Sequence, residues 1–148
     1  MAEIDDRELV PIRDGLLIGD LADLATVSLA GSTCEACAET VMGVRDLCPN
    51  CGSQELATVS LSPTGQLWTF TVARHRPPGN YRGPEPFEPY GVGLVELPEG
   101  VRIMAPLDAD IDRLEIGQEM TFAPYVRHDE SKDVVAFCYA AVRVSRNA

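Results

Sequence analysis

The stretch CEACAETVMGVRDLCPNC, residues 34–51, holds four of the chain's five cysteines. They fall as two Cys-x-x-Cys pairs, Cys34 with Cys37 and Cys48 with Cys51, ten residues apart. Each such turn brings two sulfurs close enough to ligate one ion. Two turns make a tetrahedral four-thiolate site, the closed geometry that zinc accepts. Pro49 and Gly52 stand where a tight turn places them. The Cys34–Cys37 knuckle is less typical in composition but has the same spacing. Between the two, Glu39 to Val44 has the character of a short strand, so the stretch is expected to fold as two turns facing each other across a small hairpin, a rubredoxin-like zinc ribbon.

Other uses of the four thiols fit less well. Chance placement in a core rarely yields two pairs at this spacing. Redox sites of the thioredoxin type use one Cys-x-x-Cys at the head of a helix. A catalytic zinc needs an open position, and four thiolates leave none. A structural ion held by Cys34, Cys37, Cys48 and Cys51 is therefore expected; Zn2+ comes first, and iron is the alternative that the same donors accept. Cys138 lies apart, within the apolar run Val134 to Val142. It is expected as a small core residue, with a reactive thiol as the alternative.

The bulk properties bound the function. At 148 residues the chain is one domain of ordinary size or two small ones. Its 45% apolar content is that of a globular protein. No apolar run approaches the ~20 residues that cross a bilayer, so no membrane partner is expected. The N-terminus is acidic and mixed, without the basic start and apolar block of a secretory signal. A cytoplasmic chain with reduced thiols is expected. The net charge is −11, Lys132 is the sole lysine, and the arginines are scattered. Such a field repels polyanions and weighs against nucleic acid as a partner.

Residues 1–25 carry Leu9, Ile12, Leu16, Leu17, Leu21 and Leu24 at spacings that suit an amphipathic helix. Pro11 and Gly15 interrupt it, so short helical pieces are expected, packed on the chain itself or on a partner. Past the ribbon the period changes. Residues 65–73 are rich in aromatic and β-branched residues, with Trp68, Phe70 and Val72 expected on one face. A second strand over 90–97 and a third over 101–107 flank Pro98-Glu99-Gly100 and read as a hairpin. A helical turn is expected within 108–115, a fourth strand over 120–126, a charged loop over 128–133, and a fifth strand from about Val134 to Val144. Five strands with a break between the third and fourth suit a small Greek-key barrel of the OB type. The expected class is thus mainly β, with an N-terminal helical segment (1–25), a zinc ribbon (26–62) and a five-stranded OB-fold barrel (63–148).

Segment 74–89 is different. It holds five prolines, two glycines, three arginines and one of the two histidines. It cannot join a regular ladder, and it is either a binding loop or a rigid solvated connector.

The order of these parts resembles a known family. The matching residues are Cys34, Cys37, Cys48, Pro49, Cys51 and Gly52; Gly65 with Trp68 to Thr71; Pro89-Tyr90-Gly91; Val95 to Gly100; and Leu114-Glu115-Ile116-Gly117. Nearly the whole chain is similar to the zinc-ribbon/OB-fold proteins that accompany acyl-CoA enzymes. Each motif after the ribbon is weak alone, and their order is what is specific. The resemblance implies a non-catalytic subunit in a hetero-oligomer with a thiolase-like catalytic subunit, sharing coenzyme A or acyl-CoA with it. One branch serves the thiolase of anaerobic toluene breakdown, which cleaves 2-benzoylsuccinyl-CoA. Other members accompany enoyl-CoA hydratases or steroid side-chain aldolases. On this resemblance Arg74, Arg76 and Arg82 would meet CoA phosphates, and Tyr81, Phe87 and Tyr90 would pack on the pantetheine arm or an aromatic acyl group. No catalytic residue is expected, since His75 and His128 are isolated from any Cys or Ser they would activate. The rival reading is a single-stranded nucleic-acid module with Trp68 or Phe70 stacking on bases.

Overall fold

The computed structural model describes residues 8–79, 85–129 and 131–142. Its contacts divide the chain into two compact units, Met1–Ser62 with Pro124–Phe137, and Pro63–Ala123 with Cys138–Ala148. The division falls inside two long strands.

In the first unit, β1 (Glu8–Pro11) lies parallel to the start of β10 (Lys132–Ala141), with Glu8 opposite Lys132 and Pro11 opposite Val135. The ladder continues through the Ile12 amide, which donates to the Val135 carbonyl at 2.9 Å. Next, β2 (Leu17–Ile18) pairs antiparallel with the head of β3 (Ser28–Cys34). Strand β3 is central, with β4 (Thr40–Met42) and β5 (Leu56–Ser60) antiparallel to it. The core of this unit includes Leu16, Leu29, Ala30, Leu61, Val134 and Val135.

The helical expectation for 1–25 is corrected here. Residues 8–11 and 17–18 are strands, and a single 3-10 turn, Leu24–Thr26, stands in for helix. Residues 1–7 lie outside the described part. Pro11 has no amide to donate to a helix. Gly15 and Gly19 take φ of 76° and 111°, which a right-handed helix forbids. At Gly19 a Cβ would sit 2.3 Å from the Thr26 carbonyl oxygen, so the turn closes only on glycine. The leucine spacing does not make a common buried face either: Leu16 is buried while Ile12 is exposed.

The second unit carries β6 (Thr64–Ala73), β7 (Tyr90–Glu96), β8 (Arg102–Asp108), part of β9 (Glu119–His128) and the end of β10. The strand order is β10-β8-β7-β6-β9, and β9 also pairs with β10, which closes a five-stranded barrel. Strands β8 and β10 meet in parallel, with Tyr139 opposite Leu107, whereas the β7–β8, β6–β7 and β6–β9 ladders are antiparallel. This is the OB-fold arrangement expected from the strand pattern. A 3-10 turn, Ile111–Arg113, fills the expected break, its start held by the Asp110 carboxylate accepting from the Asp112 amide at 3.0 Å.

Strand β8 alternates strictly, with Ile103, Ala105 and Leu107 buried and Arg102, Met104 and Pro106 exposed. On β7 the inner positions include Gly91 and Gly93. A Cβ on Gly93 would lie 2.7 Å from Leu67 Cδ1 and 3.0 Å from the Thr69 carbonyl oxygen, so the barrel interior is already full there.

Strand β6 departs from the expected face. Its register slips between Leu67 and Thr69, with Leu67 opposite Val95 and Thr69 opposite Leu94. Phe70 and Val72 then face inward, opposite Gly93 and Gly91. Trp68 is the extra residue of the bulge and is turned outward, 45% exposed, with the Arg102 guanidinium 3.9 Å above its ring. A one-residue insertion flips the alternation beyond it, which a period-two reading cannot detect.

Candidate metal centre

The Sγ atoms of Cys34, Cys37, Cys48 and Cys51 all lie within 4.8 Å of one another. Across the two knuckles, Cys34 approaches Cys51 and Cys37 approaches Cys48, each at 3.6 Å. A tetrahedron of sulfurs ~2.3 Å from a zinc-sized ion has edges of about 3.8 Å. The four thiols thus fit one tetrahedral ion, with every position of its shell supplied by protein. Cys34 and Cys48 are buried, Cys37 is half-buried and Cys51 is exposed.

The backbone explains the fit. In the first knuckle the Cys34 amide donates to Glu39 O, and the Ala38 amide donates to Cys34 O, both at 2.8 Å. In the second the Cys48 amide donates to Ser53 O, and the Gly52 amide donates to Cys48 O, again both at 2.8 Å. Ala38 and Gly52 occupy the same place, and both are left-handed, with φ of 66° and 79°. The atypical first knuckle is therefore the same turn as the second, closed on an alanine.

The charges within the cluster are uneven. The Asn50 side chain, donating to Cys37 Sγ at 3.5 Å, together with the Glu39 amide, lowers the Cys37 thiol to about 6. Amides led by that of Cys37 also lower Cys34. At Cys51 the Ser53 amide favours the thiolate, but the sulfurs of Cys34 and Cys37 outweigh it and push that thiol up to about 12. Four anions this close repel, so without a cation one thiolate forms at the expense of another. A bound dication makes all four thiolates favourable together. Asn50 belongs to this site as a hydrogen-bond donor to the Cys37 sulfur; its position inside Cys-Pro-Asn-Cys was the available signal.

The loop candidates are distributed. Arg76 pairs with Glu85. Phe87 and Tyr90 meet edge to face, their ring centroids 6.2 Å apart. Arg74 is exposed at the end of β6. Tyr81 and Arg82 lie outside the described residues. His128 Nδ1 is 2.8 Å from Asp133 Oδ1, and His75 is exposed. The Cys138 thiol donates to Ala123 O at 3.7 Å, and burial, followed by the Asp108 charge, raises its pKa.

Residues 58–123 match the family described as ChsH2, C-terminal OB-fold domain. The chain is 30% identical over 110 residues to a DUF35 domain-containing scaffold protein of Methanothermobacter thermautotrophicus, covering 73% of this chain and 80% of that one. It is 26% identical over 117 residues to the benzoylsuccinyl-CoA thiolase subunit BbsA of Geobacter metallireducens, covering 77% and 75%. It shares 38% identity over 85 residues with the probable enoyl-CoA hydratase alpha subunit of Thermomonospora curvata, 57% of this chain, but spans only 25% of that protein's length. Among solved structures, the Ltp2-ChsH2(DUF35) aldolase contains a chain of like fold, with TM-score 0.58, 32% identity, and 77% of this chain and 84% of that chain covered. With residues 58–123 matched by the family and four-fifths of a DUF35 scaffold protein covered at 30% identity, the chain belongs to the OB-fold ChsH2 C-terminal/DUF35 family.

Proposed function

We propose that this chain is a non-catalytic scaffold subunit of a thiolase-type acyl-CoA complex in the cytoplasm, with structural zinc in its four-cysteine site. It stabilises the catalytic partner and helps hold the CoA thioester through the 74–89 loop. The observation that carries this reading is the likeness, along 77% of the chain, to a benzoylsuccinyl-CoA thiolase subunit. The aldolase neighbour supports the same kind of assembly. The chemistry of the chain agrees. An ion held by four thiolates has no open position for substrate, so its service is to fold the ribbon. The reaction in this reading is thiolytic cleavage of an acyl-CoA such as 2-benzoylsuccinyl-CoA, as in toluene catabolism, performed by the partner's own nucleophile.

The test is capture of the tagged chain from its native host, with mass spectrometry of what it holds and elemental analysis of the bound metal. A thiolase in stoichiometric amount, one zinc per chain, and turnover only in the complex are expected. Thioester cleavage by the isolated chain overturns the proposal. A second reading, companion to a hydratase, is favoured by the 38% identity to the Thermomonospora subunit; recovery of a hydratase in the same experiment would establish it.

A further inference from the structure

Acidic residues outnumber basic ones in this chain by 23 to 12. Cations left without a carboxylate are therefore informative. Arg76, Arg102, Arg113 and Arg127 each pair with a carboxylate. Among the described residues Arg13, Arg45 and Arg74 do not, and two of these three, Arg13 and Arg45, line one cavity of about 180 Å³ in the first unit.

The cavity is built by two turns. Gly15 and Gly43, both left-handed with φ of 76° and 86°, bring the segments 13–16 and 42–45 together. The Val44 amide donates to Gly15 O at 2.8 Å, and the Gly43 amide donates to Ala30 O at 2.7 Å. Buried Ser32 locks the second turn, donating to Gly43 O at 2.7 Å and accepting from the Arg45 amide at 3.0 Å. Arg45 is aimed by its own turn: its Nε donates to Met42 O at 3.1 Å. That bond occupies Nε and leaves the two terminal nitrogens of this exposed side chain without a carboxylate partner. Leu16, Met42 and Val44 give the cavity an apolar wall, and Asp14 is the one acid on it.

We infer that this cavity binds a phosphate monoester carried on a short apolar stem. Two guanidinium forks from separate turns need an acceptor that offers oxygens to both. A tetrahedral phosphate dianion has three terminal oxygens and matches two cations, whereas a carboxylate presents one planar edge and fills one fork. The apolar wall receives the stem. The net charge of the chain does not forbid this, because charges farther than ~8 Å are largely screened at physiological salt. The site lies in the ribbon unit and does not depend on which enzyme the chain accompanies.

The test titrates the full-length, metal-loaded protein with n-butyl phosphate, inorganic phosphate and butyrate, followed by amide chemical shifts and calorimetry. Butyl phosphate is expected to shift the amides of 13–16 and 42–45 with a Kd of roughly 1 mM or below, inorganic phosphate to bind more weakly, and butyrate most weakly. Arg13→Gln removes no hydrogen bond of the fold and should weaken butyl phosphate about tenfold. Arg45→Lys keeps the charge without the fork and should also weaken it, while Arg113→Gln should change nothing. Absence of shifts in those segments, undiminished binding by Arg13→Gln, or butyrate binding as tightly as butyl phosphate would each overturn the assignment.

Discussion

The two knuckles make a matched pair of backbone experiments. Ala38 and Gly52 close equivalent turns with the same hydrogen bond to a cysteine carbonyl, at φ of 66° and 79°. An L-residue in the left-handed region is disfavoured by roughly 1–2 kcal/mol, because Cβ crowds the following carbonyl. Ala38→Gly removes that crowding. The glycine also loses more chain entropy on folding, which offsets ~0.5–1 kcal/mol of the gain. The net expectation is stabilisation by about 0.5–1 kcal/mol. Gly52→Ala is the inverse. A Cβ at residue 52 meets nothing within 4 Å, so packing contributes nothing and the backbone term stands alone. It is expected to destabilise by a similar amount, about 0.5–1 kcal/mol. Urea unfolding at one fixed metal concentration measures both. With a slope of roughly 2 kcal/mol per M, the midpoints should move by ~0.25–0.5 M in opposite directions. A destabilised Ala38→Gly beside a neutral Gly52→Ala would refute the equivalence of the knuckles.

Three further outcomes are expected. Cys48→Ser removes a buried ligand; bound metal measured by elemental analysis should fall well below one per chain, and stability should drop by more than about 4 kcal/mol, as losses of structural metals do. Retention of metal and of the wild-type melting profile would contradict the structural role. Gly93→Ala presses a methyl into Leu67 and the Thr69 carbonyl, and should cost about 1–3 kcal/mol in chemical denaturation without altering metal content. With metal bound, the one thiol left for alkylation is Cys138; its pKa is raised by burial and then by Asp108, so labelling followed by mass spectrometry should run slower than for a free cysteine at pH 8 and accelerate as pH rises. Rapid labelling at neutral pH would show that thiol to be unshielded.

Several features were legible without coordinates because they are local. Cys-x-x-Cys spacing describes a turn of a few residues, and the structure brings the four sulfurs together. The strand-like runs 90–97 and 101–107 and the turn at Pro98-Glu99-Gly100 mark the β7–β8 hairpin, since run length and turn chemistry are both short-range. Residues 28–34 were not legible as a strand. Ser28-Leu29-Ala30-Gly31-Ser32-Thr33-Cys34 has little intrinsic strand preference, and it is extended because β4 and β5 pair with it on either side. The leucine spacing before residue 25 suggested helix, and a parallel pairing with residues 132–135, over a hundred positions away, made its first segment a strand.

By itself, then, the amino-acid order determined which four thiols cluster, the class of the fold and the succession of the barrel strands. Tertiary structure decided which way Trp68 points, that Ala38 repeats the backbone of Gly52, and that Arg13 and Arg45 share a cavity. The reason is one of range. Turn spacing and side-chain alternation act within a few residues, while a bulge's register, a shared turn geometry and the meeting of two cations depend on which distant backbone supplies the hydrogen bonds.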